Sequence, residues 1–448
     1  MDVGKLWADS LKKGHKRGQP SAEGEKGKAA GAGPLTTGKG GSSASSSHAD
    51  DLCPACRRNG RVFCPHRPIL AIKSELSAAL SKTDVFGPSP PNVFVGHFGY
   101  PQVMWGPMIS LSEGVPDNPR DWYGWDFGQI VRARSMQVRG KKQSGVSAAA
   151  QKSPGFGRQN DISRMLSDVQ EAALSVKPVD MEVKFSKPPS LQLEFNSVHQ
   201  PMGASAPIEK LKLAENSKIP KKVDRVISEG MRTVDAFSIL SSSGFDEHYL
   251  TKLLSSGILG KAENRKLTPT KWAITATDDM LAKQHMEKIR EMKQNSKFLI
   301  YSNEYLANKF DILLLPGNWE YEGFEAWIGP SGQFTISQEH ESFSGRSDYA
   351  ASQGGGYYAA RLGVCEGLLS SKRQSRAIVF REILPEYDLP VGVWEIRENV
   401  RHAFQNTPQS FDSLQSALSF LSSIRLKLPL AEYLKKSQML RQTRLSDY

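Results

Sequence analysis

The stretch that decides the fold class reads Gln353-Gly-Gly-Gly-Tyr-Tyr-Ala-Ala-Arg-Leu362, and Ala377-Ile-Val-Phe-Arg-Glu-Ile383 follows it. Three glycines before a helical pattern predict a turn that opens a helix over 357–369, and the β-branched apolar run after it predicts a buried strand. Three upstream segments have the same strand-like composition, namely residues 298–301, 312–315 and 319–328. Because helices and strands interleave without a strand-helix-strand repeat, we expect a mixed α/β or α+β fold.

Composition narrows the class of protein. The chain has 448 residues, with 58 Lys plus Arg against 47 Asp plus Glu, and the resulting net charge of +11 favours a polyanionic partner such as nucleic acid. No run approaches the roughly 18 consecutive apolar residues of a membrane-spanning helix, and the N-terminus lacks a secretory pattern. We therefore expect a soluble cytoplasmic protein that associates with the nucleoid and not with a membrane.

The length suggests a two-domain body. The composition of the N-terminal region predicts, in addition, a small zinc-binding module and a disordered N-terminal tail. The tail has almost no large apolar side chains, so it cannot offset the entropy of ordering. The predicted segments are a basic Gly/Ser-rich tail over 1–50, a zinc-binding module over 51–67, an N-terminal domain over 68–265 with a flexible loop near 141–160, a C-terminal α/β domain over 266–434 and a terminal peptide over 435–448.

Several further elements follow from periodicity. Residues 221–259 are helical with a break at 241–245, which is typical of a helical hairpin and, alternatively, of a helix-turn-helix. Asp278 and Asp279 are expected in the first turn of a helix, where they cap it, with metal binding as the alternative. The remaining predictions are helices over 121–139, 161–175, 278–293, 391–406 and 411–424, strands over 181–185 and 191–195, and a surface loop over 140–159.

Three thiols and one imidazole lie within fourteen residues, as Cys53, Cys56, Cys64 and His66. Zn²⁺ prefers such tetrahedral sulfur and nitrogen ligands, and a closed four-ligand set indicates structural zinc. The alternative is that unrelated free cysteines sit close together, and the fourth ligand stays open because another residue could replace His66. Cys365, among small apolar residues, is expected in the core.

The chain ends with Gln442, Leu445 and Tyr448, spaced at i, i+3 and i+6. This spacing places the aliphatic and aromatic side chains on one side of a single helical turn, where they can fill an apolar pocket. The pattern resembles the PIP box that binds the sliding clamp PCNA, although the second aromatic residue of its longest form is missing. The alternative is a frayed terminus.

Two carboxylates and an aromatic residue, Glu320, Glu322 and Phe324, share one face of a predicted strand by period two. With Asp348 they are candidates for acid/base catalysis or for Mg²⁺ binding. The alternative is a strand with core aromatics and solvated Glu side chains.

Backbone amides at a glycine-rich helix start can hold an anion, so the turn at 354–356 is a candidate phosphate cradle, with a plain tight loop as the alternative. The candidate phosphate- and nucleic-acid-binding residues are Arg132, Arg134, Arg139, Gly354, Gly355, Gly356 and Arg361.

Five segments resemble the archaeal Nre family of DNA repair proteins. They are Asn92-Val-Phe-Val-Gly-His-Phe-Gly-Tyr-Pro101, Asp117-Asn-Pro-Arg-Asp-Trp-Tyr123, Arg134-Ser-Met-Gln-Val-Arg-Gly140, Leu267-Thr-Pro-Thr-Lys-Trp-Ala-Ile-Thr-Ala-Thr-Asp-Asp279 and residues 353–362. The resemblance covers about 52–448 without the 140–159 insertion. It implies a DNA repair protein with a zinc segment in some members and a C-terminal clamp-binding peptide. Carried over to this chain, these are Cys53, Cys56, Cys64 and His66, and Gln442, Leu445 and Tyr448.

Two functions of different class follow. The first is a DNA repair protein that PCNA recruits to DNA through the C-terminal motif and that holds DNA on a basic surface. The second is an enzyme acting on a nucleotide or a modified DNA group, which would use the glycine-rich cradle and nearby carboxylates, and Mg²⁺ is expected only in this case. A pocket uniting the glycines with Glu320, Glu322 or Asp348 would favour the enzyme.

Overall fold

The computed structural model describes residues 72, 76–89, 93–112, 114–150, 161–192, 194, 196–387 and 389–441. The predicted tail, the zinc ligands Cys53, Cys56, Cys64 and His66, and the terminal Gln442, Leu445 and Tyr448 lie outside the described residues. Within these residues the fold is mixed α/β, with two six-stranded sheets and ten α-helices, which confirms the predicted fold class. None of the helices in the described ranges combines the length and the apolar composition needed to cross a membrane.

The first sheet has the strand order β1-β5-β6-β4-β3-β2. Its strands are β1 (Asp84–Ser89), β2 (Val93–Val95), β3 (Gln102–Ser110), β4 (Gln137–Gly145), β5 (Val179–Phe185) and β6 (Ser205–Leu213). Neighbouring strands are antiparallel except for β4 and β6, which pair in parallel. Buried and more exposed side chains alternate along β5, because one face of this strand packs on the core. The strand predicted over 181–185 is confirmed.

Six helices accompany this sheet and its connections. They are α1 (Phe127–Ser135), α2 (Asp161–Leu174), α3 (Lys221–Ser228), α4 (Thr233–Ser242), α5 (Glu247–Ser255) and α6 (Thr270–Ile289). The α1 helix starts at a capping box, in which the Asp126 carboxylate accepts from the Gln129 N–H and the Gln129 side chain accepts in return. Helices α4 and α5 flank the predicted break, and both pack against α6, as a helical hairpin does.

The second sheet has the order β10-β9-β11-β8-β7-β12. Its strands are β7 (Phe298–Tyr305), β8 (Asn308–Leu315), β9 (Glu320–Ile328), β10 (Phe334–Glu341), β11 (Arg376–Ile383) and β12 (Gln409–Phe411), and its helices are α7 (Gly355–Ser371), α8 (Trp394–Gln405), α9 (Leu414–Phe420) and α10 (Leu430–Leu434). Strands β9 and β11 pair in parallel, and the other pairs are antiparallel. The predicted strands at 298, 312, 319 and 377 and the helix after the glycines are therefore confirmed.

The central strands β8 and β11 are buried along their whole length. Alternate side chains of β8 point to opposite faces, as period two requires. Phe310 and Ile312 join the large core that also contains residues of α6 and α7, whereas Leu313 and Leu315 join a smaller core with Tyr433 of α10. The second sheet is thus covered on both faces, by the large core on one face and by the smaller core on the other.

The structure corrects the predicted position of the acidic pair at 278–279. Helix α6 begins at Thr270, directly after Pro269, so Asp278 and Asp279 lie in its middle and are buried. The threonine-rich first half has low helix propensity, but packing against α5 and α7 outweighs it. The pair does not cap the helix.

Four other predicted elements differ from the observed ones. The helix over 121–139 contracts to α1, and the helix over 411–424 is divided between the end of β12, the α9 helix and one π-turn. In its described residues, the strand over 191–195 makes one isolated bridge, between Glu194 and Met202. The loop over 140–159 is partly wrong, since residues up to Gly145 pair with β3 and extend β4 despite their polar side chains.

Candidate functional site

A cavity of about 270 Å³ opens where α7 begins, beside strand β9 and the first turn of α6. Its volume is close to the lower end of small-molecule sites, roughly 300–1,000 Å³. The walls include Gly354, Gly355, Gly356, Lys271, Trp327 and Tyr387. The structure therefore places the predicted glycine-rich turn in a cavity wall, with aromatic rings and a cation around it.

The glycines are required by close contacts at the start of α7. Gly354 has a φ of +56°, in the left-handed region that favours glycine. A Cβ atom on Gly355 would lie 3.1 Å from a methyl group of Val198, and one on Gly356 would clash with Oε1 of Glu325. The group that lies against this helix start is therefore the internal Glu325 carboxylate, where the sequence predicted an external phosphate.

The Glu325 carboxylate is held by Arg381 on the neighbouring strand β11. Arg381 Nη1 donates to Glu325 Oε1 at 2.7 Å, and Arg381 Nε and Nη2 donate to Asn308 Oδ1 at 3.0 and 2.6 Å. A second buried carboxylate, Glu395 of α8, lies 3.6 Å from Arg381 Nη2. One guanidinium thus serves two carboxylates, and Glu395 Oε2 has no hydrogen-bond partner among the described residues.

Burial shifts the pKa values of both carboxyl groups upward. For Glu325, burial raises the pKa above its usual value although Arg381 opposes the shift. For Glu395, burial raises the pKa to about 7, again against the effect of Arg381. Carboxyl groups with raised pKa values in a cleft are typical of functional sites, and they also occur in structural ion-pair networks. Glu325 lines the cavity and is the carboxyl group that a ligand can reach.

Lys271 supplies a cation to the same cavity from the first turn of α6. Burial lowers the pKa of its ammonium group. Within the described ranges the ammonium has neither a hydrogen-bond nor an ion-pair partner. A cation without an internal partner can pair with a negatively charged group of a ligand.

Aromatic rings form the side of the cavity that lies near Glu325. Trp327 is 45% exposed, and its ring centroid lies 6.4 Å from that of Tyr387. Gln353 is fixed beside them because its Nε2 donates to the carbonyl of Gly323 at 2.6 Å. Together with Glu325, these groups offer flat apolar surface and hydrogen-bonding groups to a ring-shaped ligand.

Two protein-family models match the chain that has this architecture and this cavity. The model described as Archaeal Nre, N-terminal covers residues 60–332, and the one described as Archaeal Nre, C-terminal covers residues 341–448. The chain belongs to the archaeal Nre family. The predicted resemblance is therefore confirmed.

Three relatives of this Nre-family chain are named as DNA repair proteins. The chain is 34% identical to NreA of Archaeoglobus fulgidus over 376 residues, which are 83% of this chain and 93% of the relative. It is 34% identical to NreB of the same organism over 401 residues, 88% and 97% of the two chains. It is 30% identical to NreA of Haloferax volcanii over 371 residues, 79% and 86% of the two chains. No solved structure matches the chain at a significant level.

The candidate carboxylates of this Nre-family chain lie away from the cavity. Glu320 and Glu322 are buried on the opposite face of β9 from Glu325, and Asp348 is exposed and does not line the cavity. Glu320 pairs with Arg376 at 2.9 Å and contacts His340 Nε2 at 2.9 Å. The prediction that Glu320 and Glu322 share a face is confirmed, but this face does not meet the glycines.

Two of the candidate arginines in the first sheet have structural partners. Arg134 is 1% exposed, pairs with Asp117 at 2.9 Å and donates to the carbonyl of Pro201. Arg139 is 3% exposed and pairs with Glu194 at 3.0 Å. Both guanidinium groups are therefore unavailable to phosphates in this conformation, which corrects the prediction. Arg132 is exposed on α1, as a phosphate-binding residue needs to be.

Arg361 is also a structural residue, which corrects its assignment to a phosphate cradle. It is fully buried in α7 and donates to Asp279 at 2.5 Å and to Glu341 at 2.6 Å. Asp278, one residue before Asp279, pairs with Arg397 of α8 at 2.7 Å. These pairs join α6, β10, α7 and α8, and they explain why the acidic pair lies inside the protein.

One group in the described part of the chain has the spacing of a metal site. Ligand atoms of Glu247, His248 and Glu398 lie within 4.8 Å of one another. However, Arg401 donates to Glu247 at 2.8 Å and to Glu398 at 2.6 Å, and Arg120 also pairs with Glu247. Because these guanidinium groups already compensate the carboxylates, the arrangement is that of an ion-pair cluster.

Sequence reasoning missed Glu325, Lys271 and Arg381. Glu325 belongs to the acidic stretch that the sequence singled out, and its odd offset from Glu320 predicts the other face of the strand. On that face the next residue toward the N-terminus is Gly323, and its missing side chain leaves room for the side chain of Gln353. The sequence contains no comparable indication for Lys271 or Arg381, because the partners of Arg381 and the residues that line the cavity with Lys271 lie far away along the chain.

Proposed function

We propose that this chain is a DNA repair factor that binds DNA and that the sliding clamp PCNA recruits through its last seven residues. The observation that carries the repair role is the similarity to relatives named DNA repair proteins over 79–88% of the chain. The net charge of +11 supports DNA as the partner. Recruitment rests on the sequence pattern at Gln442, Leu445 and Tyr448.

The fold supports this recruitment by the way it holds the residues before the terminal peptide. Glu322 Oε2 accepts from the Ser437 hydroxyl at 2.5 Å, and Glu322 Oε1 accepts from the Gln438 N–H at 2.6 Å. Arg376 Nη2 donates to the Met439 carbonyl at 3.1 Å. The chain is therefore fixed up to Met439, three positions before Gln442, and Arg441 is exposed. A peptide that follows such an anchor would hold the body of the protein close to the clamp.

Point variants in the full chain test recruitment. Leu445→Ala and Tyr448→Ala remove the two apolar side chains of the pattern, so we expect each to weaken binding to purified PCNA clamp at least tenfold, measured by calorimetry. Thr443→Ala and Ser446→Ala are matched controls from the same seven residues, and we expect unchanged affinity. Equal affinities of all four variants and the unmodified chain would refute the clamp proposal and leave the repair role untouched.

Structural zinc bound by Cys53, Cys56, Cys64 and His66 completes the proposal. Three thiolates and one imidazole within fourteen residues form a donor set suited to tetrahedral Zn²⁺. When bound, the ion would stabilise the segment that carries its four ligands. His66 is the member that another ligand could replace.

Metal content and thiol reactivity test this site together. We expect one zinc per chain, lost in Cys64→Ser, and three thiols that react with a thiol reagent only after chelation. Cys365 is the internal control, because it is buried in α7 and burial raises the pKa of its thiol, so it should react only on unfolding. Three thiols that react equally without a chelator would contradict the zinc proposal.

A second candidate function is favoured by the cavity, namely an enzyme that acts on a nucleotide or a modified DNA group. Trp327 and Tyr387 would contact the base, and Lys271 would pair with a phosphate group. Glu325, with its raised pKa, would be the acid/base group in place of Glu320, Glu322 or Asp348. Among the described residues lining the cavity, Glu325 is the carboxylate and is paired with Arg381, so this candidate is argued without Mg²⁺.

Calorimetry with deoxynucleoside monophosphates and the matching deoxynucleosides tests this candidate. We expect the monophosphate to bind more tightly than the nucleoside, and Lys271→Met to remove this difference because the phosphate loses its cation. Lys288→Met, on the exposed side of the same helix, is the matched control. Equal binding of both ligand types, or no effect of Lys271→Met, would exclude the proposed phosphate contact.

A further inference from the structure

A second concave surface, the aromatic groove, lies on the other side of the first turn of α6. Its volume is about 780 Å³, and Tyr100, Trp272, Val234, Lys261 and Lys266 are among its lining residues. The groove runs between the β2–β3 turn and the segments around α4 and α5. Glu320, Glu322 and Asp348, which the sequence singled out, do not line it.

Two exposed aromatic side chains lie on the turn at one end of the groove, of which Tyr100 lines the groove and Phe98 lies beside it, two residues earlier. The turn between β2 and β3 carries Phe98, which is 79% exposed, and Tyr100, which is 39% exposed. The ring of Tyr100 lies 5.1 Å from that of Trp272. Contiguous exposed apolar surface marks interaction sites, and aromatic rings are the surfaces on which unpaired bases stack.

The charge of the groove is complementary to a polyanion. Its lining residues in the described part of the chain include Arg232, Lys261 and Lys266 and no Asp or Glu. Both lysines are exposed, and Arg232 pairs at the rim with Asp235 at 2.7 Å. Cations along a surface with aromatic rings are the combination used by proteins that bind single strands. A duplex would engage the cations but would keep its bases stacked and away from the rings.

The groove also adjoins the cavity at α7. Lys271 lines the cavity and the next residue, Trp272, lines the groove. A strand in the groove would therefore pass close to the site where the second candidate function places a nucleotide.

We propose that the aromatic groove binds an unpaired DNA strand, with bases stacked on Tyr100 and Trp272 in the groove and on Phe98 beside it, and with phosphates paired with Lys261 and Lys266. This inference deepens the DNA-binding part of the proposed function and rests on it. It is independent of the clamp peptide, because the groove is defined by described residues between Tyr100 and Met280. It also predicts a preference that a merely basic surface would lack, for unpaired over paired DNA.

Fluorescence anisotropy with a single-stranded oligonucleotide and with the matching duplex, in the absence of clamp, tests the groove. We expect tighter binding of the single strand, and an affinity about tenfold lower for Phe98→Ala and for Tyr100→Ala, because each loses one stacking surface. Duplex affinity should stay within about twofold. Phe86→Ala is the matched control, since Phe86 is 64% exposed on β1 of the same sheet and is not part of the β2–β3 turn at the end of the groove.

The cations are tested through the salt dependence of single-strand binding. Each phosphate contact contributes about 0.7 to the slope of log affinity against log salt concentration. The double variant Lys261→Gln/Lys266→Gln should therefore lower the slope by about 1.4. An unchanged slope would overturn the assignment of phosphates to these two lysines.

Three results distinguish a failure of the groove proposal from a failure of the proposed DNA binding. If the unmodified chain binds no DNA, the DNA-binding part of the proposed function fails together with the groove. If it binds DNA but the Phe98 and Tyr100 variants bind as tightly as the Phe86 control, the groove proposal alone fails. If these variants keep their DNA affinity and lose thermal stability, the rings pack against another segment of the chain, and the proposal is likewise overturned.

Discussion

The two faces of strand β9 carry similar Arg–Glu pairs in different settings. In the parallel pairing of β9 with β11, Arg376 lies opposite Glu320 and Arg381 lies opposite Glu325. The Glu320 side faces the segment that precedes the C-terminal peptide, while the Glu325 side faces α7 and the cavity. Because five positions separate the two Glu residues, period two places them on opposite faces.

The difference lies in what surrounds each pair. Glu320 has His340 as a second partner at 2.9 Å, so its charge is shared on a face whose role is to anchor the chain. On the other face, Arg381 serves both Glu325 and Glu395, and the carboxyl groups outnumber the cation. The same residue types therefore build a satisfied anchor on one face and an unevenly charged environment on the other.

Removing the shared guanidinium should have the largest effect. Arg381→Met leaves Glu325 and Glu395 buried without a cation, and we expect the free energy of unfolding at pH 7 to fall by about 3–5 kcal/mol. Arg376→Met should cost less, because His340 remains beside Glu320. Urea denaturation of both variants gives the comparison. Equal losses would show that the two faces do not differ in charge compensation.

The second largest effect is expected on the Glu320 face of β9, where Glu322 anchors the residues before the terminal peptide. Glu322 is fully buried and accepts from Gln338, Ser437 and Gln438, so Glu322→Ala leaves three donors without their acceptor. We expect a loss of about 3 kcal/mol and faster amide exchange at Gln438, whereas Gln338→Ala removes one donor and should cost about 1 kcal/mol. Unchanged exchange at Gln438 would contradict the anchoring role.

The cavity face should also give the protein a dependence on pH. The pKa of Glu395 is about 7 in the folded chain against a usual 4.5, so the folded state binds more protons than the unfolded state between these values. The free energy of unfolding should therefore fall as pH rises from about 4.5 to 7, and Glu395→Gln should reduce this decline by about 2 kcal/mol. Denaturation at several pH values measures the decline in the free energy of unfolding. An identical pH profile in the variant would show that Glu395 does not cause it.

The smallest expected effect concerns the turn itself. In Gly356→Ala the new methyl group would displace the Glu325 carboxylate, and we expect a loss of about 1 to 2 kcal/mol together with weaker nucleotide binding. In Gly145→Ala the nearest atom would lie at 3.4 Å, an ordinary contact, so this control should differ little from the unmodified chain. Thermal unfolding and calorimetry would record both effects, and a neutral Gly356→Ala would mean that Glu325 is not confined by the helix start.

Local patterns predicted much of the fold. The glycine turn, the helix after it and four strands of the second sheet follow from residue type and periodicity and were placed correctly, whereas β10 was not predicted and β12 overlaps the start of a predicted helix. The start of α6 was placed eight residues too late, at Asp278 in place of Thr270, because tertiary packing and not propensity decides the conformation of its threonine-rich half. Periodicity also indicated correctly that Glu320 and Glu322 share a face.

The candidate site was less predictable, because its chemistry depends on distant partners. The ion-pair partners of Arg134, Arg139 and Arg361 lie 17 or more positions away in sequence, so exposed phosphate-binding groups and buried ion pairs cannot be told apart from composition. For the same reason the sequence could not tell that the glycine turn meets Glu325. The zinc ligands and the clamp peptide lie outside the described residues and stay predictions.

Amide hydrogen exchange of the full chain, with and without purified PCNA clamp, tests the central claim most directly. The claim is that clamp docking belongs to the terminal peptide beyond the Glu322 anchor, while the cavity and the aromatic groove remain open. The account predicts that clamp slows exchange over 437–448 and leaves 351–357 and 97–101 unchanged. Slower exchange over 351–357 or 97–101, with none over 437–448, would contradict it.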